Sequence, residues 1–189
     1  MSIAGEILRA YKGPRTSMKR RLDEHPGEER LLVILVVAIL LFFVARIPNL
    51  LASADAQATE EISNTAIFVT NLVASFFFAP LLFYGVASVS RVVSRLFGGG
   101  GDGYSARLAL FWALLVVAPL SLLSTIIQTV FPVQWLSTGL SFTMFLLFAF
   151  VWGSCLSVAE KFKSPYLPSL AIILTASVVT IVIRVLIIG

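Results

Sequence analysis

Five stretches of the chain are continuously apolar, and none of them alternates between apolar and polar positions. They run over Leu31–Leu51, Ala66–Ser90, Leu108–Phe131, Gln134–Ala159 and Pro168–Gly189. About 20 apolar residues in a helix cross the roughly 30 Å hydrocarbon layer of a bilayer. Backbone inside that layer finds no water to bond, so only helices and closed barrels span it. Continuous runs select helices over barrel strands. The pattern therefore predicts an all-α integral membrane protein, with a five-helix membrane domain over residues 31–189.

The polar and apolar positions of residues 1–30 follow a different rule. Ile3, Ile7, Leu8 and Tyr11 share one face of a short amphipathic helix, with Glu6, Arg9 and Lys12 elsewhere on it. Gly13-Pro14 interrupts that helix, and Pro14 suits the first position of a second one. Met18 and Leu22 continue an apolar side, while Lys12, Arg15, Lys19, Arg20 and Arg21 form a basic cluster. A basic amphipathic segment beside a membrane lies in the interface, where each Lys or Arg near anionic lipid contributes about 1 kcal/mol. These five residues are candidate contacts to anionic headgroups, with a plain topology signal as the equal alternative. His25-Pro26-Gly27 then turns the chain, and Glu28 and Glu29 stand where acids favour a helix N-terminus.

Composition confirms the class, with 58% apolar residues, 13% charged and a mean hydropathy of +0.96. A soluble domain carries about 25% charged residues. The basic N-terminus, the first apolar run and Ala52-Ser53-Ala54 imitate a signal peptide. The long region before the run and the length of the run itself argue for a retained span. Basic residues then orient the spans. Twelve of the fourteen fall in the N-terminal segment, the second-to-third loop (Arg91, Arg95, Arg107) and the fourth-to-fifth loop (Lys161, Lys163). The opposite loops, Pro48–Thr65 and Phe131–Val133, hold none. Positive residues stay inside, so the N-terminus is expected in the cytoplasm and the C-terminus outside.

Candidate chemistry is sparse. No Asp, Glu, Lys or His lies within the five windows, the one His is His25, and the one Cys is Cys155. Ion-coupled carriers relay protons through intramembrane acids or His, and metal enzymes need a ligand cluster. The composition thus points away from catalysis, a metal or any cofactor. Gly98, Gly100 and Gly103 spell a nucleotide-loop pattern, but they follow an apolar helix rather than a strand, and Tyr104 stands where a P-loop has Lys. The loop reads as a flexible hinge, and no nucleic acid partner is implied.

Arg46 and Arg184 lie toward the external ends of their spans. Either they snorkel to the interface, or they line an external mouth where Asp55, Glu60 or Glu61 can pair with Arg184, which shares a face with Ala176 and Thr180. Ala149, Gly153 and Ser157 form a small-residue stripe that lets another helix approach closely, from this chain, a homo-oligomer or a partner membrane protein. Pro80 and Pro119 are candidate kinks, and Asn71 and Gln128 are candidates for bonds between helices.

Several of these features together resemble bacterial Yip1-domain proteins. They are Gly13-Pro14-Arg15 with the short basic helix, Glu28-Glu29, and Pro48 closing the first span. Gly103-Tyr104-Ser105 after the glycine run and Pro119 in the third span complete the likeness. The resemblance implies five spans with the N-terminus inside and no catalytic residues. Eukaryotic members associate with Rab GTPases, a role that does not transfer without the DLYGP-type motif. The expected function is membrane organisation or scaffolding of a partner complex, the alternative a passive small-solute channel, carrier or lipid scramblase.

Overall fold

The computed structural model describes residues 3–57, 64–164 and 166–175, and every element among them is a helix. Two short helices, α1 (Ile3–Lys12) and α2 (Pro14–Glu24), precede four long ones: α3 (Glu28–Gln57), α4 (Asn64–Leu96), α5 (Gly103–Val130) and α6 (Gln134–Ala159). A further apolar helix, α7 (Tyr166–Thr175), ends the described chain. The four long helices are long and apolar enough to cross a membrane. Four of the five expected spans are therefore present at full length. The fifth window is described only as α7, and the rest of it, with Arg184, Ala176 and Thr180, lies outside the described residues.

Local chemistry sets the breaks. Pro14 opens α2, and His25 ends it in a left-handed conformation with φ 43°. The α4–α5 connection is built on both sides. α4 stops where Gly98 takes φ +82° and the Gly99 N–H returns to the Ser94 carbonyl at 2.8 Å, a left-handed stop that glycine permits. α5 starts on a capping box in which the Ser105 N–H donates to Asp102 Oδ1 at 2.7 Å and Ser105 Oγ accepts from the Asp102 N–H at 3.0 Å.

Pro48 does not close the first span: α3 continues through it to Gln57. Proline forfeits one intrahelical bond, and a bilayer offers the freed carbonyl no better conformation than the helix. Pro80 and Pro119 likewise lie inside helices that continue past them.

α5 is the central helix, in contact with α1, α2, α3, α4 and α6. From Leu108 to Ala118 every residue of it is buried, whereas from Pro119 onward Ser124 alone is. α6 shows the same division. Val151–Ser157 is a continuous buried run, and Gln134–Phe148 contains no buried residue. The core therefore occupies one half of the bundle, the end that carries α1, α2, the glycine loop and the α6 C-terminus. We call this the basic end.

Candidate functional site

At the basic end the α1–α2 hairpin is inserted beside α5 rather than laid across the end of the bundle. The Trp112 Nε1–H donates to Ser17 Oγ at 3.1 Å, and the Tyr11 hydroxyl donates to the Val116 carbonyl at 2.7 Å. At 1.5 Å per residue, Val116 stands about 20 Å along α5 from Gly103. Pro119 can donate nothing to Leu115 four residues back. The hydroxyl of Tyr11 thus bonds a carbonyl within the turn that this proline disturbs. Met18 is fully buried, and Ile7 and Ala10 face the core, while Ile3 and Leu8 point outward. The face drawn from the sequence is therefore split between protein and surroundings.

The five candidate headgroup residues separate into two groups. Arg21 lies over the Trp112 ring, its Cζ 4.4 Å from the centroid, and pairs with Glu6 and Glu24. Arg15 reaches the Phe162 and Lys163 carbonyls at 3.4 and 3.5 Å. Both side chains bond within the chain, Arg21 half-buried and Arg15 still exposed. Lys12, Lys19 and Arg20 are exposed.

The glycine loop is no hinge. Its centre grips Glu160, whose side chain has no exposed surface. The Gly101 N–H donates to Glu160 Oε2 at 3.0 Å, and the Gly100 N–H donates to the Glu160 carbonyl at 3.0 Å. Arg91 closes the ring, donating to Glu160 Oε2 at 3.1 Å and to the Gly101 carbonyl at 2.6 Å. The glycines are required by contact: a Cβ on Gly99 would stand 2.6 Å from Glu160 Oε2, and one on Gly101 would strike the Ala159 carbonyl. Glu160 Oε1 is buried without a partner. Burial pushes the Glu160 carboxyl above its ordinary range, against the Gly101 N–H and Arg91, which favour the charged form. Asp102 is shifted the opposite way, held low chiefly by its bonds from Ser105.

This latch escaped the sequence reading because Glu160 falls one residue beyond an apolar window and looks like ordinary loop charge. The available signal was a single acid between an apolar span and two lysines, with a glycine run elsewhere able to approach it. Two more ties join the same end: Arg107 pairs with Glu28, and the Tyr104 hydroxyl donates to the Pro26 carbonyl.

The small stripe on α6 has a neighbour within the chain. Ala149, Gly153 and Ser157 are buried, and a Cβ on Gly153 would run into Ser169 of α7. Ser157 Oγ donates to the Ser154 carbonyl of its own helix at 2.7 Å. Among the described residues, Asn71 and Gln128 make no bond between helices. Asn71 Nδ2 donates to the Ile67 carbonyl at 2.9 Å, and Gln128 Nε2 donates to Ser124 Oγ at 2.9 Å, each one turn back.

Arg46 stands in a cleft among α3, α4, α5 and α6 at the end opposite the basic one. Two adjoining cavities of about 420 and 340 Å³ share it, together with Phe42, Ser121 and Met144. Asp55, Glu60 and Glu61, the acids expected near an external mouth, have side chains outside the described residues. Among the described residues no group of three or more His, Cys, Asp or Glu gathers to hold a metal ion, and Cys155 is buried and free. No family model, curated protein or solved structure matches the chain.

Proposed function

We propose that the chain is a non-catalytic five-span protein of the bacterial cytoplasmic membrane, its N-terminus inside. It organises anionic lipid at that face or holds a membrane partner there. One observation carries this reading: the hairpin is fastened to α5 by Tyr11, Ser17 and Arg21, and it holds Lys12, Lys19 and Arg20 outward. A basic surface attached to rigid spans binds headgroups without first ordering a free peptide, which lowers the entropic cost. The gathering of the basic loops at the same end supports the orientation.

A conducting path is the weaker alternative. It needs a polar track from end to end, and the buried half of α5, with Phe111 and Trp112 fully enclosed, closes the basic end. The test is retention of anionic lipid by the full-length protein in mild detergent. Changing Lys12, Lys19 and Arg20 together to Gln should lower retention at low salt and leave little difference at high salt. Equal retention by wild type and variant at low salt would defeat the reading.

A further inference from the structure

The lining of the Arg46 cleft changes character along its length, in the same direction on three helices. On α3 it passes from Ile39 and Phe43 through Arg46 to Asn49. On α5 it passes from Leu114 and Val117 through Ser121 to Thr125 and Gln128. On α6 it passes from Phe148 and Phe145 through Met144 to Ser141. The deeper cavity is thus walled mainly by phenyl and aliphatic groups, with Ser75 and Ser121 among them, and the outer one adds hydroxyls, amides and one guanidinium to Phe42, Ala45 and Met144. Arg46 sits at the border.

The position of that border matters. Arg46 stands fifteen residues past Leu31, about 22 Å along α3 at 1.5 Å per residue. That places it in the far half of a hydrocarbon layer roughly 30 Å thick, with the interface in reach of a long side chain. At such depth a guanidinium needs an anion or water to face it. Among the described residues, no carboxylate lines either cavity. A free inorganic anion would satisfy Arg46 but leave the phenyl-walled part below it unfilled. An alkyl chain would fill that part but leave the guanidinium and hydroxyls unmatched.

We propose that the cleft binds one anionic amphiphile, a phospholipid or a fatty acid, from the leaflet opposite the basic end. Its charged headgroup lies on Arg46, with Ser121, Thr125 and Gln128 beside it, and its chain descends between Val117, Phe145 and Phe148. Arg recognises phosphate or carboxylate oxygens through paired N–H donors. The combined size of the cavities falls within the 300–1,000 Å³ range of ligand sites. This site is independent of the headgroup contacts proposed at the basic end, which lie on other residues in the other leaflet.

The experiment uses the full-length protein in zwitterionic vesicles doped with photoreactive lipids. Their diazirine-bearing chains are identical, and the headgroups are phosphatidylglycerol, phosphatidylcholine or a free carboxylate. After illumination, labelled peptides are mapped. An anionic probe should label the Met144–Phe148 and Leu114–Ser121 stretches several-fold above the choline probe, while Phe77 and Phe78, exposed on α4, label alike with all three. Which anionic probe labels identifies the source of the headgroup.

Arg46→Gln should reduce the anionic preference about tenfold, the loss expected for a charge-assisted hydrogen bond, and Arg46→Lys should retain most of it. A competition on the unaltered protein needs no variant: unlabelled phosphatidylglycerol or fatty acid should suppress labelling, and phosphatidylcholine should not. Equal labelling by anionic and choline probes, or labelling of the cleft no stronger than at Phe77 and Phe78, overturns the proposal.

Discussion

Along α5 and α6, two halves of the same helices meet different surroundings. Between Leu108 and Ala118, and again over Val151–Ser157, side chains are buried by the hairpin, by α3 and by α7. Beyond Pro119, and before Ala149, the same helices face a cleft or the exterior of the bundle. Both helices, taken whole, are long and apolar enough to span. What differs is polar glue. The buried half has Ser17 on Trp112, Tyr11 on Val116, Arg21 against Glu6 and Glu24, and Arg91 on Glu160. In lipid, burial of apolar surface supplies no drive to associate, so close packing and polar contacts decide which faces meet. The lesson is that the basic half is a built structure, while the other half is a receptacle.

The comparison can be broken most sharply with matched substitutions at its two ends. Trp112 is fully enclosed and Trp135 is 73% exposed on α6. Trp112→Ala should cost about 3–5 kcal/mol and free the hairpin, read as a lowered unfolding temperature and proteolysis near Gly13 or His25. Trp135→Ala should stay within about 0.5 kcal/mol. Similar losses at both positions would mean that the division is not real.

A slightly smaller effect concerns the two arginines. Arg91→Gln leaves the Glu160 carboxylate enclosed without its cation, and such a break costs about 3 kcal/mol. Arg46→Gln removes a charge from the cleft and should leave stability nearly unchanged in lipid-free detergent. Unfolding in a detergent series compares them directly, and an equal loss from both would sink the contrast.

The glycines extend it in opposite directions. Gly101→Val would force a side chain into the Ala159 carbonyl and should destabilise by about 1–3 kcal/mol. Gly139 in α6 has nothing within 4 Å of a Cβ. Gly139→Ala should therefore stabilise by about 0.5–1 kcal/mol, because the helix no longer carries glycine's backbone entropy. Thermal unfolding with opposite signs at the two sites is the expected result.

The mildest test is pH. The ordinary Glu160 carboxyl titrates near 4.5, and burial raises it in the folded protein despite Arg91 and Gly101, with Asp102 adding to the rise. The folded state therefore binds the proton more tightly than the unfolded chain. This contribution to stability is fully present below the unfolded value and is lost as pH rises through the raised folded one. Asp102, held low, contributes in the opposite sense, with stability lost only as pH falls below its ordinary 3.8. The stability difference between wild type and Glu160→Gln should thus decline as pH rises above 4.5. A difference that is flat from 4.5 upward would show that Arg91 and the Gly101 N–H outweigh burial.

These residues also mark what the chain's letters could convey. The long helices, the break at Gly13-Pro14, the turn at His25-Pro26-Gly27 and the grouping of basic loops at one end were legible because each follows from local composition or spacing. Arg46 was legible as an odd charge in an apolar run, though not as the border of a graded cleft. Its neighbours Ser121, Gln128 and Ser141 are separated from it by dozens of residues and carry no mutual signal. The glycine run was misread for a related reason. Glycine looks flexible in sequence, and only the approach of Glu160, 59 residues after Gly101, turns the missing side chains into room for a carboxylate.

The sequence by itself determined that this protein is helical and suited to a bilayer. Runs of apolar side chains with no water to satisfy the backbone leave the helix as the available structure. The tertiary structure alone decided which faces are occupied. Helices in lipid have no hydrophobic reason to prefer one neighbour over another. The choice fell to contacts between distant residues: Tyr11 on Val116, Gly153 against Ser169, and a glycine loop closed on Glu160.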